Sequence, residues 1–458
     1  MLYHYARMTT DTRPKATARR YPRPRPRWRN WARNQECAPV AVDRPASEDQ
    51  LLESVRKAID RDQRVKVVGS GHSFTGIALT DGRLISLENY QRVLETDREK
   101  MQVRVQAGIR LSRLYEELAV RNLAVPNVGD IAYQSISGAI STATHGTGKD
   151  LGGLATQVAA LRLIAGDGAV IDCSADTAPD IFSAARVGLG ALGVISTVTL
   201  QCVPAFSLRA VEMPMRVDQV LEDLDSLVSA NEHFEFFWVP HTGWALTKQN
   251  NRTDEPATGR GRWKEFRDDV LYSNVAFGIA CRIGRWRPTL VPWLVRNLVP
   301  GSGPVEYVDR SDHVFASPRL IRFYEMEYEI PIDAGKEAFT RVRDYVQRSG
   351  ILLTFPIEVR FTAADDIPLS TASGRASCYI AVHVYEGTHY QQYFEAVEDI
   401  MDDYGGRPHW GKLHFQTAET LAQRYPQWDA FQKARAKLDP KGRFSNPYLD
   451  RVIGPVGG

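Results

Sequence analysis

The chain has no C-x-x-C pair, and its five cysteines (Cys37, Cys173, Cys202, Cys281 and Cys378) are scattered and odd in number. That pattern excludes a disulfide framework and a cysteine-based zinc site, and it points to a reducing, cytoplasmic setting. No run of about eighteen apolar residues occurs, so no segment reads as a transmembrane helix. Arg19-Arg20 is not followed by an apolar stretch, which argues against a twin-arginine export signal. The two common nucleotide loops are missing as well. Gly69-Ser70-Gly71 follows a strand pattern, but Phe74 stands where the third glycine of a dinucleotide fingerprint belongs, and no helical pattern follows. Gly146-Thr147-Gly148-Lys149-Asp150 imitates a phosphate loop, yet Ala143 takes the leading glycine position and Asp150 replaces the required Ser or Thr. No internal repeat is evident.

The formal net charge of +2 over 458 residues hides an asymmetry. Residues 1–29 carry nine basic groups against Asp11 alone, which leaves the rest of the chain at −6. With four prolines and little apolar periodicity, residues 1–30 read as a disordered basic tail, either a solvated extension or a tether to nucleic acid or membrane. The acidic body shows no recognisable nucleic-acid reader, so nucleic acid is not expected as a partner. Leu290 to Val299 is apolar but interrupted by Pro292 and Arg296. It reads as core or cap packing, with weak peripheral membrane contact as the alternative.

Ordered structure is expected from about Trp31. Ser47-Glu48-Asp49-Gln50 reads as a capping box, followed by a helical stripe of Leu51, Leu52, Val55, Ala58 and Ile59. Strands are expected at Arg64 to Val68, Leu84 to Leu87, Val103 to Ala107 and Ala159 to Ile164. Gly166-Asp167-Gly168 then makes a hairpin turn. Asp180 to Val187 reads as a helix and Gly193 to Val203 as a strand. The absence of a regular βαβ repeat favours α+β. Beyond about residue 207 the texture changes to strands at Phe234 to Val239, Phe323 to Ile330, Ile351 to Phe361 and Cys378 to Tyr385. They alternate with helices at Ala334 to Gln347 and Tyr390 to Tyr404, which suggests a second sheet covered by helices. Asn251 to Gly261 reads as an exposed loop.

Two loops rich in Gly, Ser and Thr, at residues 67–74 and 137–148, could expose backbone N–H groups to a phosphate. Taken singly, each could equally be an unrelated turn. Side-chain alternation puts Glu358 and Arg360 on one face of their strand, and Tyr379, His383 and Tyr385 on one face of theirs. Such a sheet has either a half-solvated front carrying a surface ion pair or a polar front facing a cavity. A lone loop lysine such as Lys412 is ordinarily solvated.

The loop Gly69-Ser70-Gly71-His72-Ser73 and the segment Asn127-Val128-Gly129-Asp130 through Gly148 resemble the FAD domain of the vanillyl-alcohol oxidase, or PCMH-type, flavoprotein family. Glu358-Val359-Arg360, Arg407-Pro408-His409-Trp410-Gly411-Lys412 and Asn446-Pro447-Tyr448-Leu449 resemble its aldonolactone oxidase branch. The resemblance covers nearly everything from Trp31 to Pro455. It implies a PCMH-type FAD-binding domain at 31–206 and a cap domain at 207–458 whose C-terminal segment returns to the FAD. It also implies Gly69, Ser70, Gly71, His72, Ser73, Gly129, Ser135, Gly138, Ser141, Thr144, His145, Gly146 and Ile195 at the cofactor, with His72 bonded covalently to the flavin and His145 shaping the second loop through backbone bonds. Small side chains within Ser137 to Thr144 would line the face that oxygen must reach.

The implied reaction is oxidation of an aldono-1,4-lactone such as L-gulono-1,4-lactone at its C2 hydroxyl. Glu358, Arg360, His383 and Lys412 would be catalytic, with Glu358, Arg360 and Tyr385 binding substrate. A cytochrome or oxygen would take the electrons, and no metal is expected. An alditol oxidase using oxygen and a non-catalytic flavin- or sugar-binding protein are the alternatives.

Overall fold

The computed structural model describes residues 25–259, 276–298, 304–316 and 321–457. Residues 1–24 of the expected tail, Arg260 and Gly261 of the expected loop, and Val299 lie outside the described residues.

Regular structure starts earlier than expected. Trp28–Arg29 pairs antiparallel with Glu36–Cys37, and the Asn30 side chain donates to Ser73 O at 3.0 Å, which ties this segment to the first glycine loop. The helix Glu48–Asp60 is capped as its sequence dictates: Ser47 Oγ accepts from Gln50 N at 3.3 Å, and Gln50 Oε1 accepts in turn from Ala46 N. Its Leu51, Val55 and Ala58 are buried. Three short strands flank this helix in the chain and pair in parallel, in the order Ala41–Asp43, Arg83–Ser86, Val65–Val68. No α-helix leaves Val65–Val68. The chain runs through the first glycine loop into a single 3₁₀ turn at Gly76–Ala78. A five-stranded antiparallel sheet stands beside this unit in the order Val170–Ser174, Val158–Ile164, Val194–Gln201, Gln102–Gln106, Val93–Asp97.

The second sheet is antiparallel and eight-stranded: Val305–Arg310, Ser207–Arg216, Trp244–Thr253, His233–Trp238, Ile357–Thr362, Ser377–Tyr385, Phe323–Pro331 and Arg407–Pro408. Its back carries Phe234, Phe236, Val359, Phe361, Ile380, Val382, Met326 and Ile330. These pack under the helices Val217–Glu222, Leu224–Ala230, Gly335–Ser349 and Gln391–Asp402. Each such buried aliphatic or aromatic side chain is worth about 1.5–3 kcal/mol relative to exposure, so the alternating pattern fixes which face turns to the helices. This is the α+β architecture expected, a mixed fold with a helix-covered antiparallel sheet.

Two expectations need correction. The strand expected from Ile351 begins only at Ile357, since residues 351–356 leave the ladder before the pairing with Trp238. Asn251–Thr253 is not loop but the end of Trp244–Thr253, where Thr253 pairs with Ser207. Polar composition concealed a strand that pairs on both sides.

The C-terminal segment joins the first core. Leu421, Phe431, Leu438, Phe444, Leu449 and Ile453 pack with Leu51, Val65, Ile85 and Val105.

Candidate active site

The front of the large sheet is polar and buried. Along Phe323–Pro331 the alternation puts Glu325, Glu327 and Glu329 on the front while Met326, Tyr328 and Ile330 face back. The register sets His383 opposite Glu325, Ala381 opposite both Glu327 and Glu358, and Tyr379 opposite Arg360. Glu358 and Arg360 are 7% and 9% exposed, so the half-solvated reading fails.

Arg360 is held from two sides. Its Nε donates to Glu235 Oε2 at 2.8 Å, and its Nη2 forms an ion pair with Glu358. Lys248 Nζ sits 3.3 Å from the other Glu235 oxygen. Although burial opposes charge on the guanidinium, Glu358 and Glu235 hold its pKa above the usual range. Burial pushes the Glu358 carboxyl up, against the pull of Arg360. Two strands over, Glu325 lies between two site groups, with His383 Nε2 at 3.4 Å and Lys412 Nζ in direct ion pairing. Burial alone would raise its carboxyl, but Lys412 and then His383 bring it down to about 2. His383 Nδ1 also lies 3.2 Å from Pro356 O. Tyr385, opposite Phe323, carries the Arg285 guanidinium over its ring at 5.4 Å.

Both glycine loops meet this front. In the second, Thr147 Oγ1 donates to Phe234 O and accepts from Phe361 N at 3.2 Å, and Gly148 N donates to Phe361 O at 2.7 Å. His145 Nδ1 lies 2.9 Å from Gly146 O, the backbone contact expected of it, while its Nε2 is 3.3 Å from Glu327 and its ring stacks on Tyr379. Potential ligand atoms of His145, Glu327 and His409 all lie within 4.8 Å of one another. In the first loop, the His72 ring stacks between Trp31 and Tyr133 at centroid distances of 5.5 and 6.4 Å. Burial, with Lys412 and Arg110 behind it, lowers its pKa to about 4, so the imidazole is neutral near pH 7.

The loops abut each other and the C-terminal segment. A Cβ on Gly69 would fall 1.8 Å from Ser135 Oγ, and one on Gly146 would fall 2.3 Å from Asn127 Oδ1, a buried acceptor with no partner of its own. Gly71 takes φ +69°, the left-handed region that favours glycine. Ser135 caps the short helix Ile136–Ser141 by accepting from Gly138 N, and Thr144 Oγ1 accepts from Gln134. Gly129 packs against His145 O, and Ile195 is buried in Val194–Gln201 opposite Leu163.

Phe74 N donates to Gly411 O at 2.7 Å, which sets Lys412 beside the first loop with its Nζ 5.4 Å from the Phe74 ring centre. Trp410 is fully buried, its Nε1 bonded to Leu369 O and its carbonyl to Tyr448 OH. Asn446 Nδ2 faces the carbonyls of Gly76, Ile77 and Leu79 at 2.8–3.2 Å, and its Oδ1 caps Pro447–Ile453.

The residues fit the FAD that the sequence resemblance implies. The N–H groups of Ser70, Gly71, His72 and Ser73 have no backbone acceptor among the described residues, and the missing side chain of Gly69 lets Ser135 pack directly against the loop. Such an array suits a pyrophosphate. These loops would hold the dinucleotide, with the sheet front and Lys412 left to face the flavin and substrate. Glu235, Glu325, Glu327 and Trp31 are site residues that the sequence reading missed. The Glu-x-Glu-x-Glu alternation at 325–329 was the signal available for two of them.

A family signature for D-arabinono-1,4-lactone oxidase matches residues 198–452, and one for an FAD binding domain matches residues 39–174. The chain is 47% identical to the L-gulono-1,4-lactone dehydrogenase of Mycobacterium tuberculosis, over 94% of this chain and 100% of that protein. It is 37% identical to the L-gulonolactone oxidase of Bos taurus, over 93% of this chain and 98% of the other. Among solved structures, a solvent-stable cholesterol oxidase superposes with a TM-score of 0.79 at 19% identity, covering 94% of this chain and 98% of its own. The cholesterol oxidase of B. sterolicum gives 0.77 at 16%, covering 94% and 96%. Buried charged sheet, glycine loops and returning C-terminal segment therefore belong together: the chain is a member of the D-arabinono-1,4-lactone oxidase family, built on the PCMH-type FAD-binding fold.

Proposed function

We propose that this FAD-dependent oxidoreductase oxidises an aldono-1,4-lactone, L-gulono-1,4-lactone or a close analogue, at the C2 hydroxyl. The observation that carries the reading is the convergence of Glu358, Arg360, His383 and Lys412 on one buried face bordered by both glycine loops. When bound, the flavin supplies a two-electron acceptor for the C2 hydride.

The protein's own groups do the rest. Arg360, immobilised by Glu235 and Glu358, binds the C2 oxygen and stabilises its alkoxide character as the O–H proton departs. Glu358, made more basic by burial, accepts that proton or anchors a neighbouring hydroxyl. His383 and Tyr385 orient the ring. Lys412 places a fixed cation where negative charge develops at the far side of the reaction. The product, a 2-keto lactone, enolises without further assistance. His72 carries the covalent flavin link, a reading supported by its neutral imidazole in the first glycine loop. Electrons leave to a cytochrome or to oxygen.

Five free cysteines, four of them buried, accord with a cytoplasmic location, and no described helix is long and apolar enough to cross a membrane. We divide the chain into an FAD-binding part at 31–206 and a cap at 207–458. Anaerobic titration with a panel of aldonolactones and polyols is the test. Bleaching by a lactone supports the reading, bleaching by alditols alone moves the substrate class, and bleaching by none of them refutes it. Timing reoxidation in air then separates dehydrogenase from oxidase.

A further inference from the structure

We propose that the helical pair Phe277–Trp286 and Val291–Leu298 is a docking face for an anionic lipid surface. These two helices, joined by the 3₁₀ turn Pro288–Leu290, carry the most exposed large apolar side chains among the described residues of the cap: Trp286 at 75%, Trp293 at 63%, Ile279 at 50% and Leu290 at 43%. Every charged residue between Phe277 and Leu298 is an arginine, namely Arg282, Arg285, Arg287 and Arg296. A solvated surface helix ordinarily mixes charge signs and keeps tryptophan inward. Here a purely cationic segment displays two tryptophans on a body that is net acidic beyond residue 29.

Tryptophan and arginine together suit the boundary between lipid headgroups and acyl chains, where the indole is half immersed and the guanidinium meets phosphate. Neither helix is long enough to span a bilayer, so the pair would lie in the plane of the surface. An anionic surface complements four arginines, whereas a second copy of this face would set like charges against each other.

The inner side of the pair is anchored beside the active site. Cys281 packs with Phe323 and Phe355, both of which contact the His383 ring. Arg285 reaches inward to Glu386 O at 2.9 Å and over Tyr385. Docking through the outer side would therefore hold the substrate-side sheet next to the lipid. The proposal is independent of which lactone is oxidised.

The test is vesicle flotation of the full-length, flavin-loaded chain, using phosphatidylcholine with and without phosphatidylglycerol, together with quenching of tryptophan fluorescence by acyl-brominated lipid. The expected result is binding that requires phosphatidylglycerol and is quenched by bromine. Trp286→Ala/Trp293→Ala should lower the partition coefficient about tenfold or more, and Arg282→Gln/Arg287→Gln several-fold, with lactone oxidation measured by a soluble dye unchanged. Equal recovery with both lipids overturns the proposal. Undiminished flotation of the tryptophan variant also overturns it, assigning the binding to the basic residues 1–29. Concentration-dependent dimerisation abolished by Trp286→Ala overturns it in favour of a second copy.

Discussion

Glu235 accepts the Nε–H of Arg360 at 2.8 Å from the adjacent strand, which locks the guanidinium plane before any substrate arrives. Under the proposed chemistry, Arg360→Ala should slow anaerobic flavin reduction by about 10²–10³-fold, the range for losing a preorganised oxyanion partner. Arg360→Lys, which keeps the charge but loses the two-ended clamp, should fall between. Near-normal reduction of the alanine variant in stopped flow removes Arg360 from the role.

Lys412 pairs with Glu325, whose other oxygen faces His383, so the ammonium cannot swing away from the sheet. Lys412→Met should lower the flavin midpoint potential and slow reduction by about 10²–10³-fold, with little change in lactone binding. An unchanged potential would show that the cation does not act on the reduced flavin.

Asn446 serves three carbonyls after the first glycine loop and caps its own helix. Asn446→Ala leaves those buried acceptors short of a donor and should cost about 3 kcal/mol of stability, together with flavin content on purification. Thermal denaturation and the absorbance ratio at the flavin band read both. Full flavin loading with an unchanged Tm contradicts the assignment.

His409 is buried and its pKa is pushed down to about 3, chiefly by desolvation and then by Lys412 and His145, against the pull of Glu327. The unfolded imidazole, near 6.5, binds a proton that the folded one refuses. The stability this gives is complete above about pH 6.5 and is lost as pH falls toward 3. At pH 5 the loss is about 2 kcal/mol for this group, and His233, His241 and His414, also lowered by burial, act in the same direction. Tm measured from pH 7 to 5 should fall steeply, and less steeply in His409→Asn. Parallel curves would contradict the assignment.

His72 offers the simplest reading of flavin attachment. Acid precipitation of the native chain should leave the yellow colour in the pellet, and His72→Ala should release it to the supernatant.

Much of this was legible in the sequence. The strands Cys378 to Tyr385 and Phe323 to Ile330, the helices beginning near Ala334 and Tyr390, and the capped helix after Ser47 announced themselves by period and by capping chemistry. Alternation put Glu358, Arg360 and His383 on one strand face, and the structure buries that face; Lys412, which the resemblance alone singled out, lies against it through Glu325. Ser207–Arg216 and Trp244–Thr253 were missed because long, twisted strands with partly exposed faces carry polar residues where a buried strand would not. Glu235, Glu325 and Glu327 were missed for a different reason. A buried carboxylate looks like any surface acid until the residue opposite it is known, and strand register here is set by pairings between segments far apart in the chain, Phe236 with Val359 and Glu325 with His383.

The anchoring of Gly76, Ile77 and Leu79 by Asn446 has a consequence for biosynthesis. A ribosome that has delivered both glycine loops and most of the large sheet has still to deliver Lys412, Trp410 and the helix that fastens the turn after the first glycine loop. Cofactor capture must wait for translation to finish, so the vitamin-derived group is loaded onto a complete polypeptide. Riboflavin starvation would then accumulate full-length, colourless chains rather than stalled fragments.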